Sequence, residues 1–493
     1  MNEGDAMRLR SLLRARRNRP RGQNSNSFNE IAPPHCLPGG SGQGIVPAQT
    51  YPGNGPAHVR FGSKADMGVP PINVRFASES RHWLSALRRL LCVSNVQGKL
   101  SWEQVMRGLR AALRVFALTG TFIVLAAFIG PAALAEVKLP VPTVDQSAVA
   151  TRGFFYVGGH YVGGPGKHIM EGQVYVEVLA PRLERRPYPL VLIHGAAQTA
   201  TNWMGTPDGR EGWAEFFVEQ GYVVYMIDQP MRGRSAYHPA DGATRMFTAE
   251  NEQFQFTAIE SDGTGAGREK HTQWPGEGAN KGKQGDPIFD AFYATQVETV
   301  LSNEETQQRN QDAGAALLDK IGPAILLTHS QSGPFGWLIA DARPNLVKGI
   351  IAIEPAGPPF EATIIGTGKA RAWGPTDITL TYDPPVKDPS EISVKHDEKP
   401  DGANTFLCWI QTAPARQLAN LKSVPAVVIS AEASYHQFYD NCTVKYLNQA
   451  GMKVEWMPLQ NKGIQGNGQM VMIEKNNLDI AKVIDGWVVE NVK

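Results

Sequence analysis

Beyond residue 150 the chain alternates short apolar runs with longer amphipathic stretches, and this alternation predicts its elements. Two runs open the series as an antiparallel pair, 153–162 (GFFYVGGHYV) and 173–179 (QVYVEVL), with a Gly-rich turn at 164–167. Further runs follow at 189–193 (PLVLI), 222–227 (YVVYMI), 325–328 (ILLT), 349–353 (GIIAI), 426–430 (AVVIS) and 453–458 (KVEWMP). Short, mostly apolar runs without strict alternation read as strands buried on both faces. Helical stretches at 212–220, around 313–320 and at 335–340 fall between them. The expected fold class is therefore α/β, a mostly parallel, doubly wound sheet. Residues 239–287 and 383–404 are Gly-rich and charged and do not fit the alternation. Insertions this long in a compact domain are usually functional, and the first is expected to be cap or lid material.

Upstream the pattern changes. Residues 1–105 carry 14 Lys/Arg against 6 Asp/Glu, and are rich in Pro, Gly, Ser and Asn without a sustained period. Such a stretch cannot bury enough apolar surface to offset its chain entropy. Its segment 58–66 (HVRFGSKAD) resembles spurious translated repeats at mispredicted bacterial gene starts, so 1–105 is expected to be a spurious or disordered extension, with Met106 as the true start. A small amphipathic helix at 82–91 is the plainer reading of that part. Next come Arg107, Arg110 and Arg114, an apolar run at 115–129, the breaker Gly130-Pro131, and Ala133-Leu134-Ala135. A basic region, an apolar stretch and an A-x-A site make a secretory signal peptide over 106–135, with an uncleaved anchor as the alternative.

The division changes what composition means. The whole chain of 493 residues is 42% hydrophobic and 19% charged, with a net charge of +1. Residues 136–493 alone hold 31 basic and 41 acidic side chains, a net of −10. That disfavours a nucleic-acid partner. These 358 residues are long enough for one large α/β domain with insertions.

The chemistry concentrates at Thr328-His329-Ser330-Gln331-Ser332-Gly333. An apolar strand, then small-x-Ser-x-small, then a helix is the nucleophile-elbow arrangement. Thr328 and Ser332 stand where glycines are usual. Ser330 is the expected nucleophile, with Ser332 as runner-up and a Ser-rich helix cap as the plainer reading. An oxyanion hole requires two backbone N–H groups, one on the residue after the nucleophile and one in the loop after the third strand. Gln331 and Ala196, in His194-Gly195-Ala196-Ala197, occupy those places. One such donor is worth roughly 3–4 kcal/mol in the transition state.

With these residues in place the chain resembles the α/β-hydrolase superfamily, and more closely a group of exported bacterial serine esterases. The likeness is carried by 154–162, 168–179, His194-Gly195, 271–275 (HTQWP), 286–293, the elbow, 353–355, 433–441 (ASYHQFYDN) and 466–477, and covers nearly all of 150–490. It implies a Ser/Glu/His triad whose acid follows the strand after the elbow. Glu354, in Ile353-Glu354-Pro355, matches; Glu432 and Asp440 are rival acids. An acid at the carboxyl end of a buried strand also lies where doubly wound sheets place their sites.

The histidine is missing. The resemblance places it in a Gly-Asn-x-His segment that maps onto Gln469, with a second often at Gln465, and both are glutamine here. The last histidine in the chain is His436. An amide neither takes the serine proton nor supplies one to the leaving alcohol near neutral pH. His436 is the alternative base, with substrate binding or a structural hydrogen bond as its plainer roles; another base or a changed chemistry is the third reading. His329, beside the elbow serine, is expected to point away. The reading is an exported serine carboxylesterase-like hydrolase of a small ester, with activity weakened by Gln469. A non-catalytic binding protein on the same fold is the alternative.

Other signals are weaker. Cys408 and Cys442 are the only cysteines after residue 135, and either pair in an oxidising compartment or stay as buried thiols. No metal-ligand spacing appears, so neither metal nor cofactor is expected. Trp274 is expected to pack, with a pocket-lining role as the other option. The expected partner is a small-molecule ester, without stable membrane association after leader removal; a homodimer is left open. Periplasm or the cell exterior is the expected location.

Overall fold

Eight strands form the central sheet, in the order β1-β2-β4-β3-β5-β6-β7-β8. They are β1 Val149–Val162, β2 Ile169–Pro181, β3 Leu190–Ile193, β4 Val224–Asp228, β5 Ala324–His329, β6 Val347–Ile353, β7 Pro425–Ser430 and β8 Lys453–Pro458. Strand β2 runs antiparallel to both β1 and β4, and all pairs from β4 to β8 are parallel. This computed structural model describes residues 141–238, 242–258, 268–364, 366–402 and 404–493. The extension expected at 1–105 and the leader expected at 106–135 lie outside the described residues.

The period-2 alternation of side chains explains why the strand sequences are apolar throughout. Leu190, Leu192, Ile325, Leu327, Ile351, Ile353, Val427 and Ile429 enter one core. Their neighbours Val191, Ile193, Leu326, Ile350, Ala352 and Val428 enter the other. Each face is covered, so no strand position between them can be polar without desolvation cost. Helices α1 Trp213–Glu219 and α6 Asn477–Asn491 cover the first face through Trp213, Phe217, Ile480 and Ile484. Helix α2 Pro287–Tyr293 adds Phe289 and Phe292 to that side. On the second face lie α3 Asn303–Ile321, α4 Gly333–Ala342 and α5 Asp440–Gln449, through Leu317, Phe335 and Leu447.

The register brings the parallel strands to a common edge. Ile193 pairs with Thr328, His329 with Ile353, and Ile353 with Ile429. Residues 194–197, 330–333, 354–356 and 431–436 therefore leave the sheet side by side. The cap following β4 contains Ala249–Glu252, a π-helical turn Gln253–Thr257, and α2. The interruption at 383–404 is part of a longer insertion between β6 and β7. Among the described residues it holds three small antiparallel pairs, such as Val394–His396 with Trp409–Gln411. No helix among the described residues is long and apolar enough to cross a membrane.

Cys408 and Cys442 form a disulfide across 34 residues, tying this insertion to α5. Closing a loop of that size stabilises a fold by about 4 kcal/mol in the chain-entropy account. A Cys408→Ser/Cys442→Ser variant is expected to lose stability of that order in denaturant unfolding, and reductant should lower the wild-type midpoint but not the variant's.

Candidate active site

Ser330 sits on the turn from β5 into α4 with φ of 53°, a left-handed backbone conformation uncommon for a residue with a side chain. The surroundings hold it there. Ser332 Oγ donates to Ile193 O at 2.8 Å and accepts from His329 N–H at 2.8 Å. Its hydroxyl is buried and committed, which removes Ser332 as an attacking group. A Cβ on Gly333 would lie 2.4 Å from Pro355 Cβ, so strand and helix crowd too closely for any larger residue. Gly195 is equally constrained: a Cβ there would come 2.9 Å from His329 Nδ1 and 3.3 Å from Ser330 Cβ.

The loop after β3 passes beside Ser330. Gly195 N–H donates to Gln198 Oε1 at 3.2 Å, and Gly195 O accepts from Arg232 Nη1 at 3.0 Å. Arg232 also donates to Gln331 Oε1 at 2.7 Å and to Thr299 Oγ1. It thus ties the two backbone segments expected to supply oxyanion donors. Burial lowers this guanidinium to about 9. Sequence reasoning did not mark Arg232, since nothing in its local pattern announces burial.

Gln469 is the side chain that meets Ser330. Its Nε2 donates to Ser330 Oγ at 3.1 Å and to Tyr435 OH at 3.1 Å, and lies 2.9 Å from His436 Nε2. Gln465 is exposed and contributes only its carbonyl, to Gln273. The loop carrying Gln469 is anchored by buried Glu474, which accepts from Gly468 N–H at 2.9 Å and Asn467 Nδ2 at 2.6 Å. His271, from the HTQWP segment, contacts the same carboxylate at 2.7 Å.

Behind Gln469 lies a buried cluster. Glu354 has φ of 50° and accepts from Ala431 N–H at 2.6 Å and from Ser434 Oγ. Asp440 accepts from Ser430 Oγ at 2.6 Å, and its other oxygen is 3.4 Å from His436 Nδ1. Burial raises both carboxyls above the usual range, opposed at Glu354 by the nearby His436. The third acid, Glu432, instead accepts from Gly466 N–H at 3.1 Å and pairs with Lys270. Burial lowers His436 to about 4, so its ring is neutral near pH 7.

Two of the side chains singled out in the sequence lie inside the fold. His329 is fully buried, its Nε2 is 3.2 Å from Gln469 O, and its Nδ1 has no protein partner among the described residues. The loop returning after β8 covers this edge and buries the ring. Burial lowers it to about 3. Trp274 lies in the core, its Nε1 donating to Asp286 at 2.9 Å, so it packs rather than lining an open pocket. An unanticipated group is Glu252 in the cap, fully buried with neither carboxyl oxygen bonded to protein and raised by burial to about 8. Helical spacing puts it on the same face as Ala249 and Phe256, toward Tyr435.

A sheet of this strand order, with a left-handed serine on the turn into a helix and an acid after the following strand, defines an α/β-hydrolase. No family model matches the chain. A protein described as a probable secreted lipase, phiG, from Fungal sp. (strain ATCC 74256) is 46% identical over 348 residues, covering 70% of this chain and 92% of its own. The chain belongs to the α/β-hydrolase family that contains this protein, and resembles carboxylic-ester hydrolases. Among solved structures, a novel bacterial esterase is 23% identical, covering 72% of this chain and 100% of its own with a TM-score of 0.48. Naproxen esterase from Bacillus subtilis is 12% identical, covering 67% and 91%, with a TM-score of 0.30.

The buried titratable groups set a pH dependence of stability. His329 and His436 titrate at about 3 and 4 in the fold, against roughly 6.5 in an unfolded chain. The unfolded state binds more protons between those values, so stability falls as pH drops through that window. Glu252 and Glu215, raised by burial to about 8 and 7, act oppositely: the folded state holds the extra protons, and stability falls as pH rises from about 4.5 toward 8. The two trends oppose each other between about pH 4.5 and 6.5. The thermal midpoint should be highest in that interval and lower at both about pH 3.5 and about pH 8.5; a midpoint still climbing at pH 8 would contradict these assignments.

Proposed function

We propose that this chain is an exported serine carboxylesterase-like hydrolase of a small ester, with Ser330 as nucleophile and a rate limited by Gln469. The observation that carries the reading is the left-handed turn at Ser330, which presents its Oγ to the Gln469 side chain across the loop from Ala196. Ser330 Oγ attacks the ester carbonyl. The N–H groups of Ala196 and Gln331 receive the developing oxyanion, and Glu354 is the triad acid. Ala196 N–H has no protein acceptor among the described residues, so it is free for that task. Export through a leader at 106–135 agrees with the word "secreted" in the relative's description, and the proposed location is the periplasm or the cell exterior.

The rate limit follows from proton chemistry. Gln469 donates to Ser330 and cannot accept its proton, so attack proceeds without the general-base contribution, which is usually about 10²–10⁴-fold. What remains is positioning and oxyanion stabilisation, of order 10³–10⁴ over water when a triad member is lost. With a short-chain nitrophenyl ester, wild type should show slow turnover that Ser330→Ala reduces to the buffer rate. Gln469→His should raise kcat by about tenfold or more. Wild-type activity that survives Ser330→Ala refutes the assignment of the nucleophile.

A further inference from the structure

Gln469 Nε2 lies between two groups that would otherwise face each other. It is 3.1 Å from Ser330 Oγ and 2.9 Å from His436 Nε2, so one atom separates the serine oxygen from an imidazole nitrogen. Those are ordinary hydrogen-bond lengths for a water in the same position. On its far side the ring is equipped as a base. Its Nδ1 is 3.1 Å from Tyr439 OH and 3.4 Å from Asp440 Oδ1, and Glu354 lies within electrostatic reach.

The amide suits one tautomer of that ring. An NH2 group only donates, so the tautomer that suits this contact has His436 Nε2 unprotonated and the hydrogen on Nδ1. That is the form a general base requires. Yet the amide cannot pass a proton between its two neighbours. Its seat is also imperfect. Two N–H hydrogens face three acceptors, Ser330, Tyr435 and His436. The amide oxygen is buried without a protein donor.

We propose that His436 is the base for Ser330, one position removed, and that the Gln469 side chain plugs the intervening position. This deepens the function proposed above and rests on Ser330 being the attacking group. With the amide turned aside, a water enters. As the bond from Ser330 Oγ to the ester carbon forms and the carbonyl π pair moves to oxygen, the serine proton passes to that water, which gives one of its own to His436 Nε2. Collapse of the tetrahedral species expels the alcohol, which takes the proton back along the same route. A second water then hydrolyses the acyl-serine by the same steps, releasing the acid and restoring Ser330.

The test is Gln469→Ala, which cannot fill the position, with Gln469→Ser as a second variant should alanine unfold the loop. With the same nitrophenyl ester, kcat should rise about tenfold to a hundredfold over wild type, with KM changed less than about twofold. Adding His436→Asn, which keeps a polar group of similar size, should remove the gain. The proposal is overturned if neither Gln469 variant exceeds wild type, if the gain lies wholly in KM, or if it survives without His436. Loss of all Ser330 dependence is a different result, and sinks the underlying assignment of the nucleophile instead.

Discussion

The backbone at Ser330 is the constraint on which the rest of the site depends. A left-handed conformation at a non-glycine residue costs of order 1–3 kcal/mol and persists only where its surroundings over-determine it. Here they do. Ser332 is bonded into β3, Gly333 is pressed against Pro355, and Ala356 N–H donates to Ser330 O at 2.9 Å. The strain is shared along the edge of the sheet. Ala197, Met231, Ser330 and Glu354 all have positive φ, and each lies just beyond the carboxyl end of one of four strands, β3 to β6. Four parallel strands in register leave their connections crowded on one edge, and sharp turns there point side chains across it rather than away from it.

Buried ions then fix the loops that the strands only deliver. Arg232 joins the segment after β3 to the residue after Ser330. Glu474 joins the loop of Gln469 to the cap through His271. Both groups are desolvated, and each is compensated by several bonds, which is the condition under which burying a charge is tolerable. Removing either group would leave its buried hydrogen-bond partners unsatisfied beside the site. The positions of Gln331 and Gln469 are therefore set by polar contacts far apart in sequence, on a frame whose own stability is apolar.

That division explains what could be read from the sequence. The strands were legible because burial on both faces demands uninterrupted apolar runs, and 453–458 was bounded to the residue. Ser330 was legible because an elbow imposes a local pattern. Arg232 and Glu252 were not, because their burial comes from the cap and from loops whose course no short pattern dictates. The cluster behind Gln469 was only half legible. Asp440 follows His436 by four residues and was weighed as a rival acid, but its approach to the ring depends on the turn Tyr435–Phe438 leading into α5. The contact of His329 with Gln469 O was not legible, because it depends on a chain segment that returns 140 residues later.

Glutamine at position 469 changes the polarity of the site more than its shape. An imidazole there would offer the serine an acceptor and take up a proton. The amide nitrogen offers only hydrogens, and on the proposed reading the N–H groups of Ala196 and Gln331 do the same. Every protein group directed at the reacting atoms is then a donor. Such a constellation stabilises negative charge, on a serine oxygen or on a tetrahedral anion, but gives the serine proton no first destination. On the proposed reading the group that receives it is His436, neutral near pH 7 and on the other side of the same nitrogen. On that reading the deficiency is one of connection rather than of chemistry. It lies in a single rotatable side chain rather than in the strands and turns that hold Ser330 in place.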